Sequence, residues 1–268
     1  MKIRVVVITL SVLFANFVWA ENYSPARSSN PKDVFWGDTH LHTRNSADAY
    51  TYGNKNLSPD DAYRYAQGKE LVAHNGMKVR IKTPLDFLVV ADHAEYLGGF
   101  YRYGMQDPRI KRTVIGRKWD QWTSAGEDDK IYPTFTASQV DPVSYPPFPE
   151  RLQKSIWKGV ANSADAHNKP GTFTTFSGYE WTSMINRNNL HRVVIYKDSA
   201  DKVAQMAPFS AQSSQDPREL WKFLAQYEKA TDGEVIAIPH NSNLSGGMMF
   251  PDNTVDGNPI DVGYARMS

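Results

Sequence analysis

Five apolar, β-rich runs recur along the chain, and each carries a potential metal ligand at one end. They are Asp33-Val-Phe-Trp-Gly-Asp-Thr-His-Leu-His42, Leu85-Asp-Phe-Leu-Val-Val-Ala-Asp-His93, Thr172-Phe-Thr-Thr-Phe-Ser-Gly-Tyr-Glu180, His191-Arg-Val-Val-Ile-Tyr196 and Glu234-Val-Ile-Ala-Ile-Pro-His240. Four end in such a residue, and one begins with it. Helical signals fall between them. Ser58-Pro59-Asp60-Asp61 reads as an N-cap, a first-turn proline and first-turn acids, and predicts a helix to about Ala73. Residues 149–167 place Leu152, Ile156, Trp157 and Val160 on one face. Asp216-Pro217 opens another helix, with Leu220, Phe223, Leu224 and Tyr227 inward. Alternation of this kind predicts parallel βα units within one α/β domain, residues 33–268. Residues 98–148, rich in Tyr, Trp, Pro and Gly, break the rhythm and read as an insertion over one face.

The strongest chemical signal is Gly37-Asp38-Thr39-His40-Leu41-His42. On a strand, positions 40 and 42 share a side, so two imidazoles can converge on one ion, with Asp38 on that side to orient one of them. Asp92-His93 ends an apolar strand, where α/β enzymes place their sites. Glu180, between Tyr179 and Trp181, is a carboxylate that is costly to bury unless paired or metal-bound. His191 and Pro239-His240-Asn241 complete the set. Each has an ordinary structural explanation by itself, such as a capping aspartate or an exposed histidine; five together do not. His74 reads as a turn residue, and His167 as a helix-end residue favoured by the dipole.

The absence of cysteine restricts any metal to nitrogen and oxygen ligands, which suit zinc, manganese or iron. At the N-terminus, Lys2 and Arg4 precede an apolar run over residues 5–18, and Val18-Trp19-Ala20 resembles a signal-peptidase site. Cleavage before Glu21 is expected, with residues 21–32 as an N-terminal extension and a periplasmic or secreted location. No later stretch could cross a bilayer, so no stable membrane insertion is expected. Without the signal the formal charge is −1, which leaves no electrostatic footprint for nucleic acid. The sequence leaves the oligomeric state open.

The order HxH, DH, GxE, His, PH resembles the polymerase and histidinol phosphatase (PHP) superfamily. The opening Phe35-Trp-Gly-Asp-Thr-His-Leu-His-Thr-Arg-Asn-Ser46 is similar to the exported group known as domain of unknown function 3604. The resemblance implies a distorted (β/α)7 barrel with two or three divalent ions at the C-terminal ends of its strands. It implies that His40, His42 and Glu180 hold one ion, and that Glu180 bridges to a second held by His191 and His240. A third falls to His93 and an acid soon after the HxH pair, for which Asp48 is the match. The superfamily pattern ends with an Asp-x-His element that nothing after His240 supplies, so the chain is expected to stop inside its catalytic domain, in a form short of ligands and activity.

Two ions of that kind favour hydrolysis by a metal-bound hydroxide. No nucleophile elbow and no P-loop competes for the role. The leading expectation is a phosphoesterase acting on a small phosphorylated organic molecule, with Glu180 and His191 at the reacting centre and Arg44, or Arg192, meeting phosphoryl charge. Hydrolysis of another bond (amide, lactone or sulfate ester) and a non-catalytic exported metal- or ligand-binding protein are the alternatives. The aromatic residues Tyr96, Tyr101, Tyr103, Trp119 and Trp122 are expected to pack as core or lid more than to stack on substrate.

Overall fold

The computed structural model describes residues 33–267; the expected signal, residues 1–20, and the extension, 21–32, lie outside the described residues. All five expected strands form. The first half runs β1 (Gly37–Leu41), α1 (Ala47–Thr51), α2 (Pro59–Ala66), β2 (Leu71–Val72), β3 (Lys78–Val79) and β4 (Phe87–Val90). Helices α3 (Gly99–Gly104), α4 (Pro108–Lys111), α5 (Val114–Ser124) and α6 (Thr134–Val140) follow, and then the long α7 (Glu150–His167). The last part is β5 (Thr174–Trp181), β6 (Arg192–Tyr196), α8 (Ala200–Val203), α9 (Pro217–Thr231), β7 (Val235–Pro239) and α10 (Val262–Met267). Among the described residues no helix is long and apolar enough to cross a membrane.

The result is a mixed α/β fold around a curled, five-stranded half-barrel in the order β1-β4-β5-β6-β7. Strands β1, β4 and β5 are mutually parallel, but β6 pairs antiparallel with both β5 and β7. Parallel βα units throughout were the expectation, and β6 corrects it. Only residues 182–191 join β5 to β6, with a single 3-10 turn among them, and a parallel crossover needs about a dozen residues or more. Because β6 alone is reversed, its beginning lies at the same rim of the sheet as the ends of the other four strands.

Side-chain alternation then divides the sheet. Directly paired residues share a face, so Glu180, Val193 and Ile238 lie together on the inner face, with Gly178, Ile195 and Ile236 one layer below. Val89 and Phe176 continue that face. Gly178 is there for lack of room: a Cβ would meet Val89 Cγ1 at 2.5 Å. Below the rim this face borders an apolar cavity of about 510 Å³, lined by Phe87, Val89, Phe176, Ile195 and Ile238 among others. The outer face carries Tyr179, Trp181, Val194 and Tyr196 into the main core.

Helix α7 buries Ile156, Trp157, Val160, Ala161 and Ala164 along one stripe, as its spacing predicts, and Trp157 Nε1 donates to the Val203 carbonyl at 3.1 Å. Helix α2 has the expected Ser58 N-cap and first-turn proline, closed as a capping box with Asp61, but ends at Ala66, because Gly68 leaves at φ +78° and the chain turns into the unforeseen β2–β3 hairpin. Residues 98–148 form four helices and do not merely lie over a face. Phe100, Ile110, Ile115, Trp119, Phe135 and Phe148 enter the main core itself. Tyr96, Tyr103 and Trp119 are buried there and Trp122 packs against them, which makes them core.

Candidate metal centre

One irregularity in β1 brings the HxH pair to the rim. Gly37 and Asp38 pair with Phe87 and Leu88, but Leu41 pairs with Val90, so β1 holds one extra residue between positions 38 and 41. Such a bulge shifts the alternation by one. Asp38 falls on the outer face and His40 and His42 on the inner one. Asp38 was expected beside an imidazole; instead its Oδ1 accepts the His40 backbone N–H at 2.7 Å and holds the bulge. Immediately afterwards, Asp92 fixes the chain's exit from β1. Its Oδ2 accepts the Thr43 hydroxyl at 2.7 Å, and its Oδ1 accepts the Thr43 N–H. Burial pushes the Asp92 carboxyl up to about 6, against those two hydrogen bonds.

All seven candidate ligands meet at this rim. Glu180, 1% exposed, lies at the middle with five imidazoles around it. Its Oε2 is 3.1 Å from His40 Nε2, 2.8 Å from His42 Nε2 and 3.1 Å from His93 Nδ1. Its Oε1 is 2.7 Å from His191 Nδ1 and 2.8 Å from His240 Nε2. Asp48, at the start of α1, reaches His42 Nδ1 at 3.1 Å and His93 Nε2 at 3.6 Å. Three sets of donors are close enough to share an ion: His40, Glu180 and His240; His42, Asp48 and His93; and His93, Glu180 and His191. His42 Nε2 is also 3.0 Å from His40 Nε2, so it reaches the first set as well as the second.

These spacings fit a metal. Tetrahedral bonds of about 2.0–2.1 Å to nitrogen or oxygen hold the donors about 3.3 Å apart, and the separations here bracket that value. Without an ion the arrangement is hard to satisfy, because three ring nitrogens converge on one carboxylate oxygen and two on the other. Among the described residues, His191 Nε2 and His240 Nδ1 are buried and have no hydrogen-bond partner.

Burial pushes the Glu180 carboxyl up, but the facing His93, His191, His240 and His40 outweigh it and hold the group well below the usual range. Burial also opposes ionisation of Asp48, and hydrogen bonds from His42 and His93 again reverse the outcome. Burial disfavours a charged His42, yet Asp48 and Glu180 raise its pKa to about 10. The site therefore stabilises positive charge between the buried Glu180 carboxylate and the half-buried Asp48 carboxylate.

The remaining candidates lie outside this contact network. Arg44 donates from Nη1 to the Asn56 carbonyl at 2.8 Å, and its guanidinium lies 4.1 Å above the Tyr101 ring. No hydrogen bond or ion pair joins it to the cluster among the described residues. Arg192 pairs across the sheet with Trp181 on the outer face, where its guanidinium lies 5.7 Å from both the Trp181 and the Trp221 ring; it faces away from the rim. His167 stacks on Tyr63 and binds Asp60 at 2.6 Å, far in sequence and role from the site. Sequence reasoning missed Ser46, Thr182 and Glu95. Ser46 Oγ accepts the His93 N–H and lies 3.1 Å from His42 Nδ1. Thr182 Oγ1 is 2.5 Å from His93 Nδ1. Glu95 is wholly buried and accepts the Ala211 N–H at 2.7 Å. Serine and threonine carry no signal by type; Glu95, two positions after His93, was visible but sat past the predicted strand.

The chain belongs to the family described as "Protein of unknown function (DUF3604)", which matches residues 29–268. No curated protein and no solved structure matches it.

Proposed function

We propose that this DUF3604 protein is an exported metal-dependent hydrolase, and that its substrate is a small organic phosphate ester. The observation that carries the reading is Glu180, a buried carboxylate enclosed by five imidazoles with a second carboxylate, Asp48, beside two of them. His40, Glu180 and His240 would hold one divalent ion (zinc, manganese or iron), with Asp48 among the ligands of another. The curled sheet is then part of a PHP-type (β/α)7 barrel, with the site at the ends of its strands. Bound ions would polarise an ester oxygen and bring a water's pKa toward neutrality.

The chain's own residues supply the rest. Glu180 presents both oxygens to the imidazoles around it. His191 Nδ1 is fixed against Glu180 Oε1, and its unpartnered Nε2 can hold or pass a proton. Arg44, two residues beyond His42, supplies positive charge next to the rim. The near-neutral overall charge of +1 argues against a polymeric nucleic acid substrate.

The test is elemental analysis of the purified chain, followed by assay with aryl phosphate monoesters and diesters, aryl sulfates, lactones and amides. Metal near one or two equivalents with turnover of phosphate esters alone supports the reading. Turnover confined to sulfate, lactone or amide moves the substrate class. Absence of bound metal after incubation with zinc, manganese and iron overturns it.

A further inference from the structure

The core tyrosines Tyr96, Tyr103, Tyr179 and Tyr227 each have a fixed place for the hydroxyl. Tyr96 donates to the Tyr145 carbonyl at 2.9 Å, Tyr103 to Asp120 at 3.1 Å and Tyr227 to Asp198 at 2.9 Å, while Tyr179 accepts the Phe209 N–H at 3.2 Å. Tyr132, just before α6, differs. It is half-buried and packs against the same core, yet among the described residues its hydroxyl bonds no carbonyl, carboxylate or N–H. The hydroxyl that faces it belongs to Tyr52, which is 79% exposed. The Tyr132 ring also approaches the histidine–carboxylate cluster from two sides. Buried Phe135 lies between it and His93: the Phe135 ring is 4.9 Å from the imidazole and stacks on Tyr132 at 6.1 Å, 12° from parallel. On the other side Tyr52 meets Tyr132 edge-on at 6.2 Å. Tyr52 closes α1 four residues after Asp48, and its N–H donates to the Asp48 carbonyl at 2.8 Å, so the two side chains leave one face of that helix.

Resting on the hydrolase reading, we infer that Tyr132 is a substrate-contacting residue whose phenol donates a hydrogen bond to an oxygen of the phosphate ester at the Asp48 side of the rim. The ring is held in place, stacked on Phe135 and 6.3 Å from Phe100, so the donor is oriented before substrate arrives. Burial, with Tyr52 and Asp48 adding to it, pushes the phenol up to about 12, which keeps the proton on the oxygen at neutral pH. A neutral donor can meet phosphoryl oxygen there without placing another cation beside the ions. Residues 98–148 would then serve the site as well as the core, with α6 carrying Phe135 and the turn before it carrying Tyr132.

The test compares wild type, Tyr132→Phe and Tyr132→Ala, each loaded with zinc. The phenylalanine variant keeps the ring stack and loses only the hydroxyl; the alanine variant loses both. Calorimetric titration with inorganic phosphate and turnover of an aryl phosphate are measured beside zinc content and the unfolding midpoint. In Tyr132→Phe, phosphate affinity should fall about tenfold, the size of one hydrogen bond to a charged oxygen. Its kcat/KM should fall about 100-fold, as for loss of one oriented donor, with zinc content and midpoint unchanged. A phenylalanine variant equal to wild type, with the loss confined to Tyr132→Ala, means that Tyr132 only packs; it overturns the inference and leaves the functional reading intact. Loss of zinc in Tyr132→Phe overturns it too, because the hydroxyl would then support the centre and not the substrate. A zinc-loaded wild type that neither binds phosphate nor turns over the ester removes the functional reading, and this inference with it.

Discussion

The two faces of β5 and β6 are made from alternate residues of the same ten-odd ångströms of sheet, yet they have opposite physics. On the outer face Tyr179, Trp181, Val194 and Tyr196 are buried among aromatic partners; the Tyr196 and Tyr227 rings meet edge-on at 4.7 Å, and the Trp157 and Tyr179 rings at 5.8 Å. On the inner face Glu180 is equally buried, but among imidazoles, with only an apolar floor beneath it. Burial by itself therefore says little about role. What separates the faces is what the buried groups offer one another: the outer face packs aromatic rings together, and the inner rim crowds five imidazoles around the Glu180 carboxylate. The first face should carry the stability of the fold, and the second its chemistry.

Trp181→Ala is the largest test of that division. The side chain is fully buried, and its Nε1 donates to the Ser214 carbonyl at 3.2 Å. Its loss should cost about 3–5 kcal/mol, the usual range for a buried tryptophan, measured as a shift of the denaturant midpoint. Residual folded protein should still bind metal. Loss of metal affinity with unchanged stability would break the comparison.

Glu180→Gln, one residue away, should do the reverse. It keeps the volume and removes the charge that five histidines share. Metal affinity should fall by more than the roughly 100-fold expected for removal of an outer partner, and turnover should fall with it, while the circular dichroism spectrum stays that of the folded chain. Retention of stoichiometric metal would show that the imidazoles, not the carboxylate, define the centre.

How much of this was legible in the residues divides along the same line. The candidate ligands were readable because their types are rare and all but Asp48, which came from the family resemblance, stood at or near an end of a β-rich run: His40, His42, Asp48, His93, Glu180, His191 and His240 all meet. The outer core was readable from helix periodicity, as in α7 and α9. What stayed hidden depends on pairing between strands. His191 stood at the start of its run while the other ligands stood at the ends, which is the mark of a reversed strand, but the alternation with helices read as parallel. The extra residue in β1 is invisible without its register against β4, so Asp38 was put on the wrong face. Thr182 and Ser46 act through hydrogen-bond geometry alone.

The electrostatics of the rim give a smaller and graded effect. Without metal, His42 stays protonated at neutral pH because Asp48 and Glu180 raise its pKa to about 10. An ion must displace that proton, since a ligating imidazole nitrogen has to be free of it. Raising the pH toward 10 removes the competition, so metal affinity should climb with pH, and lowering the pH should weaken it. Zinc titration in weak buffer at pH 7 should release about one proton or more per chain. Affinity independent of pH over this range would mean that His42 is not a ligand and belongs with the structural face.

Arg44 is the residue whose side of the division is least obvious, and it should give the smallest effect. Its Nη1 is bound to the Asn56 carbonyl and its guanidinium rests on Tyr101, contacts that resemble packing. Yet it follows the HxH pair by two residues. If it meets substrate charge, Arg44→Ala should raise KM by up to about tenfold, equivalent to about 1.4 kcal/mol, with kcat and metal content unchanged. Arg44→Lys should recover part of that loss, because the charge remains while the planar stack is weakened. If it only packs, the alanine variant should lose about 0.5–1 kcal/mol of stability, the size of an exposed cation–π contact, with KM unmoved. Measuring KM and the unfolding midpoint on the same three proteins separates the outcomes: a KM effect restored by lysine assigns Arg44 to the rim, and a stability effect without it assigns Arg44 to the scaffold.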